Sequence, residues 1–361
     1  PTPSSAASDV YKRQILYGVQ GTGNGHIARA RAMSEAFKVH DVQVDFLFSG
    51  RAPEKYFSME SFGDYQTRRG FSFITEKGSV NYVKTALNSN FIQFLKEVNQ
   101  LDLSPYDLVI NDFEPVSAWA ARKQNTPCIG ISHQNAFRYP VPSKGANWLD
   151  KSMIKHFAPS QYLLGLHWYH FEQPILPPIV HTLDYTADSQ DFVLVYLPFE
   201  SIEDICDLLF HFNQQAFICY HPDVIESERI ENVELRPLSH THFQHHLQSC
   251  IGVIANGGFE LPSEALSLGK KLLLKPLSGQ FEQQSNVATL EALGLAYSMD
   301  ALDVGTVRQW LCEEQAESIH YPDVASAIAE WVVQGVWDSP ESLAKQLWDK
   351  VDFPSYAEVS L

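Results

Sequence analysis

The chain has 361 residues, 45% of them hydrophobic and 19% charged, with a formal net charge of −17. This length and apolar content suit a soluble globular protein of two or three domains; no apolar run reaches the roughly 18 residues of a membrane-spanning helix, and the acidity opposes contact with a nucleic-acid backbone. The charge is uneven, since residues 1–170 hold 18 Lys and Arg against 14 Asp and Glu and residues 171–361 hold 8 against 29, which points to two units with different partners.

Residues 1–14 read as a leader unrelated to the fold, because the first strand signal begins at Ile15. Strand-like runs then follow at Ile15–Val19, Val42–Phe48, Phe71–Thr75, Asp107–Asn111 and Cys128–Ser132. They alternate with helix-like stretches at Ile27–Phe37, Tyr82–Gln100 and Val116–Lys123, the pattern of a parallel sheet covered by helices. The first strand opens into Gln20-Gly21-Thr22-Gly23-Asn24-Gly25-His26. This loop departs from the dinucleotide G-x-G-x-x-G, since position 26 is His, and no Gly-Lys-Ser/Thr follows to make a P-loop. His26, where the next helix begins, suits a general base or a helix N-terminal contact. Asp112, at the end of the strand 107–111, suits a carboxylate that fixes an imidazole tautomer, or equally a cap for the helix near Pro115. Glu114 is the fallback partner, and His133, at another strand end, is a candidate for lining the same cleft.

After Pro140 the sequence turns irregular, and Gln173-Pro174-Ile175-Leu176-Pro177-Pro178 reads as a stiff connector between domains 15–172 and 173–361. A second alternating series has strands near Phe192–Tyr196, Phe217–Tyr220, Val233–Arg236, Cys250–Ala255 and Lys271–Lys275, followed by a helical tail at Pro322–Val333 and Pro340–Val351. The fold class is therefore α/β, with two doubly wound Rossmann-like domains facing a cleft. Ligands in such sheets bind beyond the carboxyl ends of the strands. The five cysteines are scattered and odd in number, as suits free thiols in a reducing cytoplasm. The imidazoles between His240 and His246 lack a supporting acidic pattern, so no metal site is expected from them.

The stretch Asn256–Gly294 carries most of the chemistry. Cys250–Ala255 is a buried-strand run ending at Asn256, Gly257 and Gly258, where backbone N–H groups and a following helix N-terminus suit a diphosphate without a metal ion. Glu264 in that helix fits a ribose-binding carboxylate and helix-dipole compensation equally well. A second strand leads into Ser278-Gly279-Gln280-Phe281-Glu282-Gln283 and then Asn286, where an acid followed by an amide can grip neighbouring sugar hydroxyls.

With Gly258 followed six residues later by Glu264, and Glu282-Gln283 by Asn286, the segment resembles the donor-binding signature of GT-B glycosyltransferases. The peptidoglycan N-acetylglucosaminyltransferases of family 28 and the UDP-glycosyltransferases are nearest in pattern. The departures are Asn256, where many relatives carry a phosphate-contacting His, and Leu261, where Ser or Thr is common.

The resemblance implies a nucleotide-sugar donor, with Leu238 and Phe243 near its base, and terminal helices that cross back onto the first domain. It also implies a reaction centre at the loop of Gly21, Gly23, Asn24, Gly25 and His26, with His26 as catalytic base oriented by Asp112. Transfer would be metal-independent and inverting, with no cofactor. The acceptor would be a lipid-linked sugar, a glycan or a small molecule bound by the first domain, in a cytoplasmic enzyme with possible peripheral membrane contact. A nucleotide-sugar epimerase of the same fold and a non-catalytic nucleotide-sugar binder stay open. A nicotinamide oxidoreductase, with Asp45 or Arg51 as ribose selector, would leave the second Gly turn and the Glu-Gln pair unexplained.

Overall fold

The computed structural model describes residues 12–71, 75–76, 79–80, 91–145, 148–180 and 189–359. The first unit holds β1 (Arg13–Gln20), β2 (Val42–Ser49), β3 (Gln66–Arg68), the small antiparallel pair β4 (Thr75–Glu76) and β5 (Ser79–Val80), then β6 (Leu108–Asp112), β7 (Cys128–Ser132), β8 (Tyr162–Leu166) and β9 (Ile175–Leu176). Its helices are α1 (Asn24–Phe37), α2 (Phe91–Gln100), α3 (Pro115–Gln124) and α4 (Trp148–His156). Seven of these strands form one parallel sheet in the order β3-β2-β1-β6-β7-β8-β9.

The second unit holds β10 (Phe192–Tyr196), β11 (Ala216–Tyr220), β12 (Glu228–Ile230), β13 (Val233–Arg236), β14 (Gly252–Asn256), β15 (Lys271–Lys275) and β16 (Tyr297–Ser298). Its helices are α5 (Ile202–Leu209), α6 (His240–Ser249), α7 (Glu260–Ser267), α8 (Phe281–Ala292), α9 (Val304–Leu311), α10 (Val324–Gln334) and α11 (Glu341–Trp348). Its sheet runs β12-β13-β11-β10-β14-β15-β16 and is parallel except for the edge pair β12–β13. The central strands of both sheets are continuous apolar runs because helices cover them on both faces; β7, β14 and β15 are buried at every residue.

Each sheet reverses its strand order once, between β1 and β6 in the first and between β10 and β14 in the second. At such a reversal the flanking helices depart to opposite faces and leave a crevice at the carboxyl edge. The Gln20–His26 loop leaves β1 there while Asp112, paired in register with Val19, ends β6. The Asn256–Gly258 turn leaves β14 at the matching place in the second sheet, where β10 ends at Tyr196.

Two apolar clusters sit on the outer faces, and the largest core runs through both units, with Trp168 Nε1 donating to Ser263 Oγ at 2.8 Å across them. The chain's last helices return to the first unit. Arg13 donates to the carbonyls of Val332 and Val333 at 3.0 and 3.2 Å, tying β1 to α10, and Trp348 Nε1 donates to Ile175 O at 2.6 Å.

Several expectations shift. Arg13 and Gln14 are not leader but part of β1, and Gln14 N donates to Asp107 Oδ2 at 2.8 Å. The connector 173–178 carries β9, so the first sheet extends past residue 172. The irregular stretch after Pro140 folds into α4, whose apolar pattern is interrupted by Asp150, Lys151 and Lys155, and into β8, the short run Tyr162–Leu166. Residues 1–11, most of the expected strand at 71–75 and the first part of the expected helix at 82–100 lie outside the described residues.

Candidate functional site

The site begins with a capping choice. The carboxylate of Glu114, buried at the start of α3, accepts from Val116 N at 2.8 Å, Ser117 N at 2.6 Å and Ser49 Oγ at 2.6 Å. Burial pushes its pKa up, against these hydrogen bonds. Glu114 is thus the helix cap and not a partner for His26, which leaves Asp112 free to face the loop after β1.

Asp112 is fully buried and serves two groups. Its Oδ1 lies 2.8 Å from His26 Nδ1, and Arg29 holds both oxygens, Nε to Oδ2 at 2.7 Å and Nη2 to Oδ1 at 2.8 Å. Burial works to raise the pKa of Asp112, but the charges of Arg29 and His26 outweigh it and hold the carboxyl below its usual range. An ionised Asp112 only accepts hydrogen bonds, and so Nδ1 carries the proton of this contact. The 3.0 Å approach of Arg29 Nη2 to Nδ1 follows from both groups sharing one oxygen. His26 keeps 15% of its side chain exposed and Asp112 none.

Arg29 also donates to Glu260 on α7, so its guanidinium bridges the two domains. Burial raises the Glu260 pKa to about 8, with Arg29 acting in the opposite direction. Glu260 is close enough to α1 that a Cβ on Gly25 would meet its Cγ at 2.8 Å, and glycine at position 25 is what lets the helices meet.

A pocket opens beside this contact, lined by Asn24, Gly25, Ile27, Ala28 and Arg31 of α1 and by Tyr196, Leu238, Phe243, Gln244, Glu260, Leu261 and Glu264 of the second domain. Its apolar wall includes Phe243 packed edge-on to Tyr196 at 5.5 Å. Glu264 accepts from Gln244 Nε2 at 2.9 Å, and burial raises its pKa to about 6. The helices α1, α7 and α8, like α11, begin without a side-chain cap, in contrast to α3, α5, α6, α9 and α10. Uncapped first-turn N–H groups suit an anion, and those of α1 and α7 border the pocket.

Comparison with known proteins gives the same outline. The model of the family described as glycosyl transferase family 1 matches residues 13–313. The chain belongs to glycosyl transferase family 1. No curated protein matches this glycosyltransferase in sequence. Among solved structures it shares its fold with the glycotransferase of kitacinnamycin at 12% identity and a TM-score of 0.58, over 94% of this chain and 100% of that one. It is similar to the spinosyn rhamnosyltransferase SpnG at 13% identity and 0.55, over 93% and 100%. It is also similar to SsfS6 of Streptomyces sp. SF2575, solved with thymidine diphosphate, at 12% identity and 0.56, over 93% and 99%.

In this glycosyltransferase the other expected site residues fall into distinct groups. Asn24 bridges the domains, donating to Tyr196 Oη at 3.2 Å and accepting from Arg51 at 3.2 Å. Gly21 N donates to Ser49 O at 2.6 Å, and Gly23 faces open space. At the end of β14 Asn256 points its amide nitrogen to Lys275 O at 2.9 Å and leaves Oδ1 without a partner, so its N–H group braces the strand ends. Gln283 Oε1 accepts from Leu277 N at 3.0 Å and shapes the loop before α8. Glu282 accepts at 3.1 Å on both oxygens from Gln134 of the first domain, and Gln280 Oε1 has no partner.

His133 does not line the cleft. It is buried, 2.8 Å from Leu166 O and 2.6 Å from Asn286 Oδ1, and stacked on Phe259 at 3.9 Å. Its position between two apolar layers makes it an interdomain strut. Of the imidazoles in α6, His246 sits 2.8 Å from Tyr220 Oη, and burial lowers its pKa to about 4. Among the described residues no three His, Cys, Asp or Glu side chains group to hold a metal ion.

Sequence reasoning missed Arg29, Glu260 and Gln134. Arg29 follows His26 by three residues, the spacing of one helix face, which was a legible signal. Glu260 reads as an ordinary first-turn acid, and Gln134 carries no local signal.

Proposed function

We propose that this glycosyltransferase moves a sugar from a nucleoside diphosphate, with UDP as the nucleotide, to an acceptor hydroxyl, without a metal ion and with inversion. The observation that carries this reading is the 2.8 Å contact of His26 Nδ1 with a buried, Arg-held Asp112, His26 standing in the chain between Gly25 and Ile27, which both line the interdomain pocket. Nε2 of His26 takes the proton of the acceptor hydroxyl as its oxygen bonds to the anomeric carbon. The bond from that carbon to the diphosphate oxygen breaks, and Asp112 stabilises the imidazolium. The negative charge that develops on the diphosphate meets the uncapped N-terminus of α7 after Gly258. Glu264 takes the ribose hydroxyls, Leu238 and Phe243 the base, and Glu282 the sugar. Thymidine diphosphate in the SsfS6 structure supports a pyrimidine diphosphate.

The acceptor side belongs to the first domain, and we place the enzyme in the cytoplasm. Exposed Phe91, Ile92 and Leu95 on α2 support contact of that domain with a membrane or a lipid-linked acceptor. Among the described residues no helix is long and apolar enough to cross a membrane.

Thermal shifts with UDP, dTDP and their sugars identify the donor. His26→Ala is then expected to hold UDP affinity within about twofold while turnover drops roughly a hundredfold or more. Retained turnover removes His26 as the base. Conversion of the donor sugar with no acceptor product would mark an epimerase instead.

A further inference from the structure

The His26–Asp112 pair does not stand alone, and what holds it comes from the opposite domain. Arg29 is 2% exposed and spends its fork on two carboxylates, Nε and Nη2 on Asp112 and Nη1 on Glu260. Asp112 ends β6 in the first sheet, whereas Glu260 opens α7, two residues beyond the Gly258 turn. The bridge crosses the domain interface where Gly25 lets α1 meet α7.

We propose that Arg29 and Glu260 are a positioning pair for the base: Glu260, carried on the donor-binding helix, holds the Arg29 fork in the plane that fixes Asp112 and through it His26. This rests on the reading of His26 as the base. A guanidinium is planar, so anchoring Nη1 sets the direction of Nε and Nη2. With Glu260 withdrawn, Arg29 has a buried nitrogen without an acceptor and reorients to satisfy it, and Asp112 loses one side of its clamp. Base orientation thereby depends on the two domains being apposed, which ties the acceptor side of the chemistry to the helix that borders the diphosphate. Charge balance agrees. Asp112 and Glu260 share a single guanidinium, and burial raises the pKa of Glu260 to about 8, so Glu260 can hold a proton and still offer Oε1 to Arg29. The pair therefore needs an acceptor oxygen at this position rather than a full charge.

The test uses the full chain and reads UDP released from UDP-glucose, UDP-galactose or UDP-N-acetylglucosamine, whichever is turned over fastest. Glu260→Met keeps the length and removes the oxygen; kcat should fall roughly ten- to a hundredfold. Glu260→Gln keeps the oxygen and should restore most of that loss. Added to Asp112→Asn, Glu260→Met should cost nothing further, since both act through one chain of contacts. Arg29→Lys, which cannot span both carboxylates, should lose kcat in the same non-additive way and serves if Glu260→Met does not fold. An undiminished kcat in Glu260→Met, a loss confined to KM, or losses that multiply with Asp112→Asn would overturn the pair. An active His26→Ala would instead sink the base itself, so the two failures are told apart.

Discussion

His133 of the first domain lies 2.6 Å from Asn286 Oδ1 of the second, and Asn286 Nδ2 in turn donates to Gly257 O at 3.0 Å. An imidazole from one sheet edge thus braces the Gly turn of the other, with Phe259 stacked against it. Asn286, expected from its motif to serve the donor, holds the turn that would cradle the phosphate.

Removing either partner leaves a buried polar group unpaired. His133→Ala and Asn286→Ala should each destabilise by about 2 kcal/mol, read by denaturant unfolding. Burial lowers the His133 pKa, so the unfolded chain takes up its proton first. The stability linked to neutral His133 is present above about pH 6.5 and is lost as pH falls from there through the folded value. Replacing His133 should flatten the slope of unfolding free energy against pH in that window; an unchanged slope would show that the ring does not titrate on unfolding.

Glu264 gives a pH signature of the opposite chemical kind. Burial raises its pKa to about 6, so its carboxylate, the form that would accept ribose hydroxyls in the proposed reading, is present above that value and is lost below it. Calorimetric UDP affinity should weaken as pH drops from 7.5 to 5. Glu264→Gln should be weaker at pH 7.5 and vary less, the difference between the two proteins correcting for titration of the UDP phosphate.

Asp112 and Glu114, two residues apart, should behave oppositely. Asp112→Asn is expected to lower kcat roughly a hundredfold or more while leaving UDP affinity alone. Glu114→Ala loses its hydrogen bonds to Val116 N, Ser117 N and Ser49 Oγ. It should therefore destabilise by about 2 kcal/mol with kcat retained. A kcat loss in Glu114→Ala at full stability would return it to the catalytic pair.

The two glycines after β14 separate folding from binding. A Cβ on Gly257 would meet Gln283 O and Val287 Cγ2 at 2.8 Å, so Gly257→Ala should destabilise by about 1–3 kcal/mol. At Gly258 nothing lies within 4 Å. Gly258→Ala should leave the melting temperature almost unchanged yet weaken UDP binding, because the methyl group stands where the diphosphate would approach. Unchanged affinity would move the phosphate away from this turn.

The alternation of strands and helices, the two Gly turns and the residues His26, Asp112 and Glu264 were legible in the chain because each is local. Buried parallel strands are unbroken apolar runs, and a Gly turn followed by a helix marks itself within ten residues. The segment of α4, broken by Asp150, Lys151 and Lys155, and β9 among its prolines were not, since their apolar residues become a pattern only once packed.

The sequence by itself therefore determined the fold class and the Gly-rich turns at the strand ends, whereas the strand-order reversals beside them came from the structure. Tertiary structure alone decided which acid does what: Glu114 caps a helix, Asp112 faces His26, and Glu260 crosses the interface to Arg29. It also moved His133 from cleft wall to interior strut. Local spacing fixes which element a side chain rides on. Whether a carboxylate meets an imidazole or a guanidinium depends on groups dozens to hundreds of residues away, brought close by the packing of the chain.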